Sequence, residues 1–208
     1  MSTEKNDVNP GPKRVRRDRK EEILHAAVNA FAEKGYRGAT TLAIANSIGL
    51  TEAGLFHYFP GKAHLLKGVL AYRDEQYLER VKLVSPSQKK ELPTMLGNLE
   101  GIVAENEEFP VFIQLFTVLV AESISNDHPA HDYFVNRFQL ARQLYKQAFS
   151  ELTDVNIPSE ASLNELATVT IAVLDGLQIQ YLLDPDEVDM LAAFRLFSSL
   201  LRSYLQKK

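Results

Sequence analysis

The chain contains no cysteine and no tryptophan among its 208 residues. The missing thiol excludes disulfides, thiolate metal sites and cysteine nucleophiles together, and removes any need for an oxidising compartment. Residues 1–20 are polar and charged, without the apolar stretch of a signal peptide, and no apolar run is expected to reach the roughly 20 residues that span a bilayer. A cytosolic protein with no membrane role is therefore expected. Neither a Gly-rich phosphate loop nor a nucleophile elbow occurs, and no stretch alternates apolar and polar residues as a half-buried strand does. The residues call for no cofactor, and an enzyme is not expected.

What is present is a 45% hydrophobic composition, enough for a real core in one large or two small domains, and a net charge of only −4. The charge is unevenly distributed. From residue 13 to 68 ten Lys or Arg stand against five acids, whereas from 69 to 208 twelve stand against twenty. A small basic domain joined to a larger acidic one suits one face on phosphate and another in solvent. Residues 1–12 are expected to be a disordered tail, 13–66 a small basic domain suited to DNA, and 67–208 a larger helical domain whose aromatics and apolar helix faces suit ligand binding and dimerisation. In the basic run at the start of the second segment, Arg14, Arg16 and Arg17 are placed to lie along phosphates or reach a minor groove, although a solvated tail has the same composition.

The most informative stretch is TTLAIANSIGLTEAGLFHYFPGK, residues 40–62. Thr40 and Thr41 precede Leu42-Ala43-Ile44-Ala45, where a hydroxyl satisfies the free N–H groups of a helix start. Gly49 falls where a chain leaving a helix needs positive φ, and Thr51 is placed to cap a second helix from Glu52. Ala45, Ile48 and Leu50 let the two helices cross closely, leaving Glu52, Ala53, Gly54 and His57 outward. Such a second helix can enter a major groove, and on spacing alone an ordinary helical hairpin fits equally well.

The pattern TT-x-x-IA-x-x-x-G-x-T-x-x-x-L-x-x-YF-x-x-K-x-x-LL, together with the upstream helix ILHAAVNAFAEKGY, resembles the DNA-binding signature of the tetracycline-repressor (TetR) family of bacterial transcription regulators. Ala53 stands where members usually carry glycine, Gly54 where they carry a hydroxyl residue and Phe56 where they carry tyrosine; the last two positions often hold phosphates. The resemblance implies a ligand-responsive repressor, binding a palindromic operator in double-stranded DNA as a homodimer and released by a small hydrophobic effector. Base edges are assigned to Glu52 and Ala53. Phosphate contacts are assigned to Thr41, His57, Tyr58 and Lys62, with Thr51 and Gly54 beside them; Arg37 and Thr40 are lesser candidates, since a charged surface residue and a helix cap explain them without DNA. An effector-independent helical adaptor that binds a protein partner is the alternative.

Elsewhere the 3.6-residue period predicts an all-α chain of about nine helices: 19–34 first, the two short ones, 62–84, and then 89–106, 110–125, 129–152, 159–183 and 186–206. Pro110, Pro129, Pro158 and Pro185 stand at or just before helix starts, where proline loses no hydrogen bond. On the last two helices Leu163, Leu166, Thr170, Val173, Leu174, Leu177 and Tyr181 form one stripe, and Met190, Phe194, Phe197, Leu201 and Tyr204 another. Further apolar residues off these stripes, Ile171, Ile179, Leu191, Leu200 and Leu205, exceed what one chain easily buries. A homodimer through residues 160–206 is expected.

Phe109, Phe112, Phe116, Phe134, Phe138, Tyr145 and Phe149 make the middle helices rich in aromatics, either as core or as the lining of a ligand pocket. Gln114, Thr117, Gln139, Arg142, Asp175 and Gln178 are the polar candidates there, Arg142 above all, and a flat or long hydrophobic ligand of drug size is expected. Glu22-x-x-His25 has di-iron spacing but no second copy, so it is read as an exposed helix face. His128, His131 and Asp132, with Glu122, offer either a metal site or a helix cap.

Overall fold

A computed structural model describes the backbone of residues 12–84, 91–155 and 160–205, and the side chains of 18–76, 91–155 and 163–205. Every element among them is helical: α1 (Pro12–Gly38), α2 (Thr41–Ser47), α3 (Glu52–Phe56), α4 (Lys62–Val84), α5 (Leu92–Glu108), α6 (Pro110–Glu122), α7 (His131–Ser150), α8 (Glu160–Leu183) and α9 (Met190–Leu205). The first helix begins at Pro12, earlier than its apolar period suggests, because proline is well suited to a first turn. The expected disordered tail, residues 1–12, lies outside the described residues apart from Pro12, and so do the side chains of Arg14, Arg16 and Arg17.

Several helices start later than expected, for local reasons. Pro129 and Ala130 belong to a turn closed by His131 N–H donating to the His128 carbonyl at 2.9 Å, so α7 begins at His131. The last helix begins at Met190, after a turn in which the Asp189 carboxylate accepts the Ala192 N–H at 2.7 Å. The α5 start is held from a distance: the Leu92 N–H donates to Asp154 at 2.9 Å.

One apolar cluster unites Ile23, Ala27, Val28 and Phe31 of α1 with Ile44 and Ala45 of α2, Leu55 of α3, and Leu65, Leu66 and Val69 of α4. The same cluster continues into Leu115 and Leu119 of α6 and Phe134 of α7. The N-terminal helices are thus anchored on α6, which runs against α1. Two further clusters, around Phe149 with Leu201 and around Val103 with Phe194, bury the C-terminal helices against one another.

At α8 the structure corrects one expectation. Leu163–Leu183 is 21 residues with a mean hydropathy of 1.5, long and apolar enough to cross a membrane by length and composition. Its apolar residues are shared between two faces. Leu163, Leu166, Val173, Leu174, Leu177 and Tyr181 pack into the chain's own core, while Val169, Ile179 and Leu183 lie on the surface.

Candidate nucleic-acid interface and effector cavity

The two short helices are built by local chemistry. Thr40 caps α2 by accepting the Ala43 N–H at 3.1 Å, and Thr51 caps α3 by accepting the Gly54 N–H at 3.1 Å. Between them Gly49 has φ 66°, a left-handed conformation that other residues adopt at a cost, and nothing lies near a Cβ built there. Leu55 of α3 is fully buried, which fixes the helix's rotation and leaves Ala53, Phe56 and His57 exposed. Gly54 is half-buried; a Cβ there would sit 3.2 Å from the capping Thr51 hydroxyl. The assigned DNA contacts Thr41 and Glu52 face each other, with the Thr41 hydroxyl donating to the Glu52 carboxylate at 2.5 Å. His57 stacks edge-on against Tyr58.

Lys62, the first residue of α4, packs its ammonium 4.6 Å from the centre of the Tyr36 ring. Burial pulls its pKa down, opposed by the nearby Glu122 carboxylate. That carboxylate closes a junction invisible in the sequence: it accepts the backbone N–H of Tyr36 at 2.6 Å and of Arg37 at 3.3 Å. Arg37, ranked as a lesser DNA contact, pairs with Asp127 at 3.3 Å. The Nδ1 of buried His128 accepts the Ala130 N–H at 3.2 Å and meets the Ser123 hydroxyl at 2.8 Å. With the proton then on Nε2, His128 directs it at Glu122, 3.7 Å away, and burial keeps the ring's pKa low. His128 thus closes the turn before α7 rather than capping the helix, whose N-terminus receives no side-chain hydrogen bond; His131 joins the turn through the Ser123 carbonyl at 2.9 Å, and no cluster of metal ligands occurs among the described residues. Glu22 pairs with Arg19, and His25 meets the Tyr72 hydroxyl at 2.9 Å.

Deeper in the C-terminal helices lies a cavity of about 110 Å³ bounded by α4 to α8. Of the expected ligand residues, Phe116, Phe138, Tyr145, Asp175 and Gln178 line it. Phe112 and Phe134 belong instead to the core that carries the N-terminal helices, and Gln114 and Gln139 are exposed. Arg142, expected to be decisive, is also exposed. Its place is taken by Arg73 and Arg137, whose guanidiniums lie 4.5 and 5.4 Å from the centre of the Phe116 ring. Asp74 receives both, at 3.3 and 2.8 Å, and also accepts the Tyr133 hydroxyl at 2.7 Å, so that burial and Asp74 push the Tyr133 pKa up to about 12. The Asp175 carboxyl is pushed up to about 6 by burial, against the pull of the two arginines. The cavity is partly open, and its lining is more highly charged than the largely apolar one expected for a hydrophobic ligand.

Residues 23–69 match the model of the bacterial regulatory proteins of the tetR family. This segment is a TetR-family DNA-binding domain. Among curated relatives, the nucleoid occlusion factor SlmA of Idiomarina loihiensis is 26% identical over 49% of this chain and 52% of its own length. SlmA of Vibrio cholerae is 30% identical over 45% of this chain and 48% of its own. The chain thus spans about half the length of the curated relatives it matches. The TetR fold extends further than that sequence likeness. A transcriptional regulator from Rhodococcus sp. Rha1 superposes with a TM-score of 0.74 at 13% identity, covering 91% of this chain and 98% of its own. A regulator from Saccharomonospora viridis, solved in complex with choline, does so with 0.74 at 18% identity, covering 92% and 100%.

Proposed function

We propose that the protein is a ligand-responsive transcriptional regulator, a repressor that binds a palindromic DNA operator as a homodimer and is released by a small effector. The observation that carries this reading is α3 itself: capped by Thr51, anchored by Leu55, and open to solvent at Ala53 and His57 within a TetR-type helix-turn-helix. Selecting bound DNA from a random pool tests it, and recovery of no enriched sequence at low salt would favour the helical adaptor.

Lys62 supplies the first expected result. Its charge stands beside the α4 N-terminus, so Lys62→Ala is expected to weaken binding to all sequences alike and flatten the salt slope by about one. Electrophoretic shifts across a salt series check this, and an unchanged slope removes Lys62 from the phosphate contacts.

Dimerisation is supported by an unpartnered surface. Val169, Ile179 and Leu183 of α8 and Leu196, Leu200 and Tyr204 of α9 are between 46% and 80% exposed. On α8, Val169, Ala172, Gly176, Ile179 and Leu183 recur every three or four residues, the spacing of one helix face. A second copy of the same α8–α9 pair would cover this surface in a four-helix bundle, and two-fold symmetry then sets half-sites about one DNA turn, or a multiple, apart. Leu200→Asp is expected to yield a monomer at micromolar concentration by light scattering, with the helical content retained. A monomeric parent would refute the dimer.

Effector control is supported by the continuity from cavity to reading helices. Phe116 lines the cavity on α6, and Glu122, at the end of the same helix, holds the backbone of Tyr36 and Arg37. An effector that releases DNA must bind the DNA-incompetent arrangement more tightly, since equal affinity for both shifts nothing.

A further inference from the structure

Resting on the DNA-binding reading above, we infer that Glu52 reads a cytosine in each operator half-site by accepting from its N4 amino group, and that Thr41 is a positioning residue for Glu52 rather than a phosphate contact.

The make-up of α3 sets the first limit. Its five residues are Glu-Ala-Gly-Leu-Phe, and Glu52 alone carries a polar side-chain group. No Arg, Lys, Asn or Gln is there to fork onto guanine or adenine, so a hydrogen bond between an α3 side chain and a base edge has to be accepted by the Glu52 carboxylate. Ala53 and Phe56, both exposed, offer only apolar contact of the kind that suits a thymine methyl. Charge sets the second limit. Phosphates repel a carboxylate, and among the base edges of a major groove it finds donors only at the amino groups of cytosine and adenine.

Geometry decides between those two. The Thr41 hydroxyl on α2 donates to Glu52 Oε1 at 2.5 Å, and among the described residues Oε2 receives no donor. The side chain is thereby fixed across the helix crossing with one oxygen left to accept, and it loses less rotamer freedom on binding than an unheld glutamate. An adenine amino group lies between two acceptors, its own N7 and the O4 of the paired thymine, whereas the cytosine amino group has a C–H edge on one side. A fixed carboxylate oxygen is repelled less over cytosine.

Bound DNA is selected from a random pool with the full-length parent, Glu52→Gln, Thr41→Val and Thr41→Ser, and affinities for the parent's consensus and its singly changed versions are measured by fluorescence anisotropy. The parent is expected to enrich one invariant cytosine per half-site, whose replacement by thymine costs about tenfold in affinity or more. Glutamine both donates and accepts, so Glu52→Gln is expected to exchange that cytosine for adenine. Thr41→Val keeps the branched shape without the hydroxyl and is expected to lower the cytosine preference by roughly fivefold, with Thr41→Ser restoring it. Loss of a phosphate contact would instead weaken all sequences alike and leave the preference unchanged. Retained melting transitions show that the variants fold. Enriched sequences without an invariant cytosine, or a cytosine preference that survives Glu52→Gln, overturn the cytosine assignment; a preference untouched by Thr41→Val overturns the positioning role. Either defeat leaves the regulator reading standing, whereas a parent that enriches no sequence at low salt defeats that reading and the inference together.

Discussion

Gly35→Ala is expected to destabilise the protein by about 3 kcal/mol and to weaken DNA binding with it. Gly35 combines φ 68° with ψ 178°, a region essentially confined to glycine and worth about 1–3 kcal/mol of strain for other residues. A methyl group there would also collide with the Glu122 carboxylate. The carboxylate can withdraw only by giving up the N–H groups of Tyr36 and Arg37, and charge-assisted hydrogen bonds of this kind contribute about 1.5–3 kcal/mol each. A double-mutant cycle separates the two effects. In a Glu122→Ala background the methyl finds room, so Gly35→Ala should there cost only its backbone strain. Urea denaturation of the four proteins checks this; strictly additive losses would mean that Gly35 and Glu122 do not act on each other. The same junction joins the reading helices to the cavity-lining helix, so the single Glu122→Ala variant should also bind DNA with a reduced response to any effector.

Asp175→Asn is expected to stabilise the ligand-free protein at pH 8 relative to pH 4, by about 3 kcal/mol. An aspartate in the unfolded chain titrates near 4, whereas burial holds Asp175 at about 6 in the fold. Between these values the folded state keeps a proton that the unfolded state has lost. Stability therefore falls as pH rises through that window, and above 6 the full penalty applies, about 2 units at 1.36 kcal/mol each. Asparagine does not titrate, so the variant escapes the penalty, and its advantage over the parent should be absent near pH 4 and complete near pH 8. Denaturant midpoints measured across that range decide it. An advantage independent of pH would show that Asp175 titrates normally and that the amide acts through packing alone. A carboxylate retained at such a cost fits a residue kept for what it binds.

The helix-turn-helix was legible in the chain because its determinants are local. Thr40 and Thr51 bond to N–H groups three residues away, Gly49 supplies its own positive φ, and the apolar period of α1 and α4 marks their buried faces. Composition and periodicity likewise determined the all-α class, whereas of the surplus apolar residues named on α8 and α9 only Ile179 and Leu200 are exposed: Leu205 is buried, and Ile171 and Leu191 are half-buried. The cavity was only half legible. Aromatic spacing indicates Phe116, Phe138 and Tyr145, but periodicity does not say which of Arg137 and Arg142 turns inward, and five positions on a helix rotate a side chain by about 140°. That choice belongs to the packing of α7 against α6 and α8. Arg73 and Asp74 gave no sequence signal, since their partners Phe116, Tyr133 and Arg137 are distant in the chain. Glu122 gave only a weak one, as a neighbour of two histidines, yet it reaches back 86 residues to the backbone of Tyr36. Local hydrogen-bonding geometry thus determined where the helices begin and end; only their mutual packing decided which charges face each other inside.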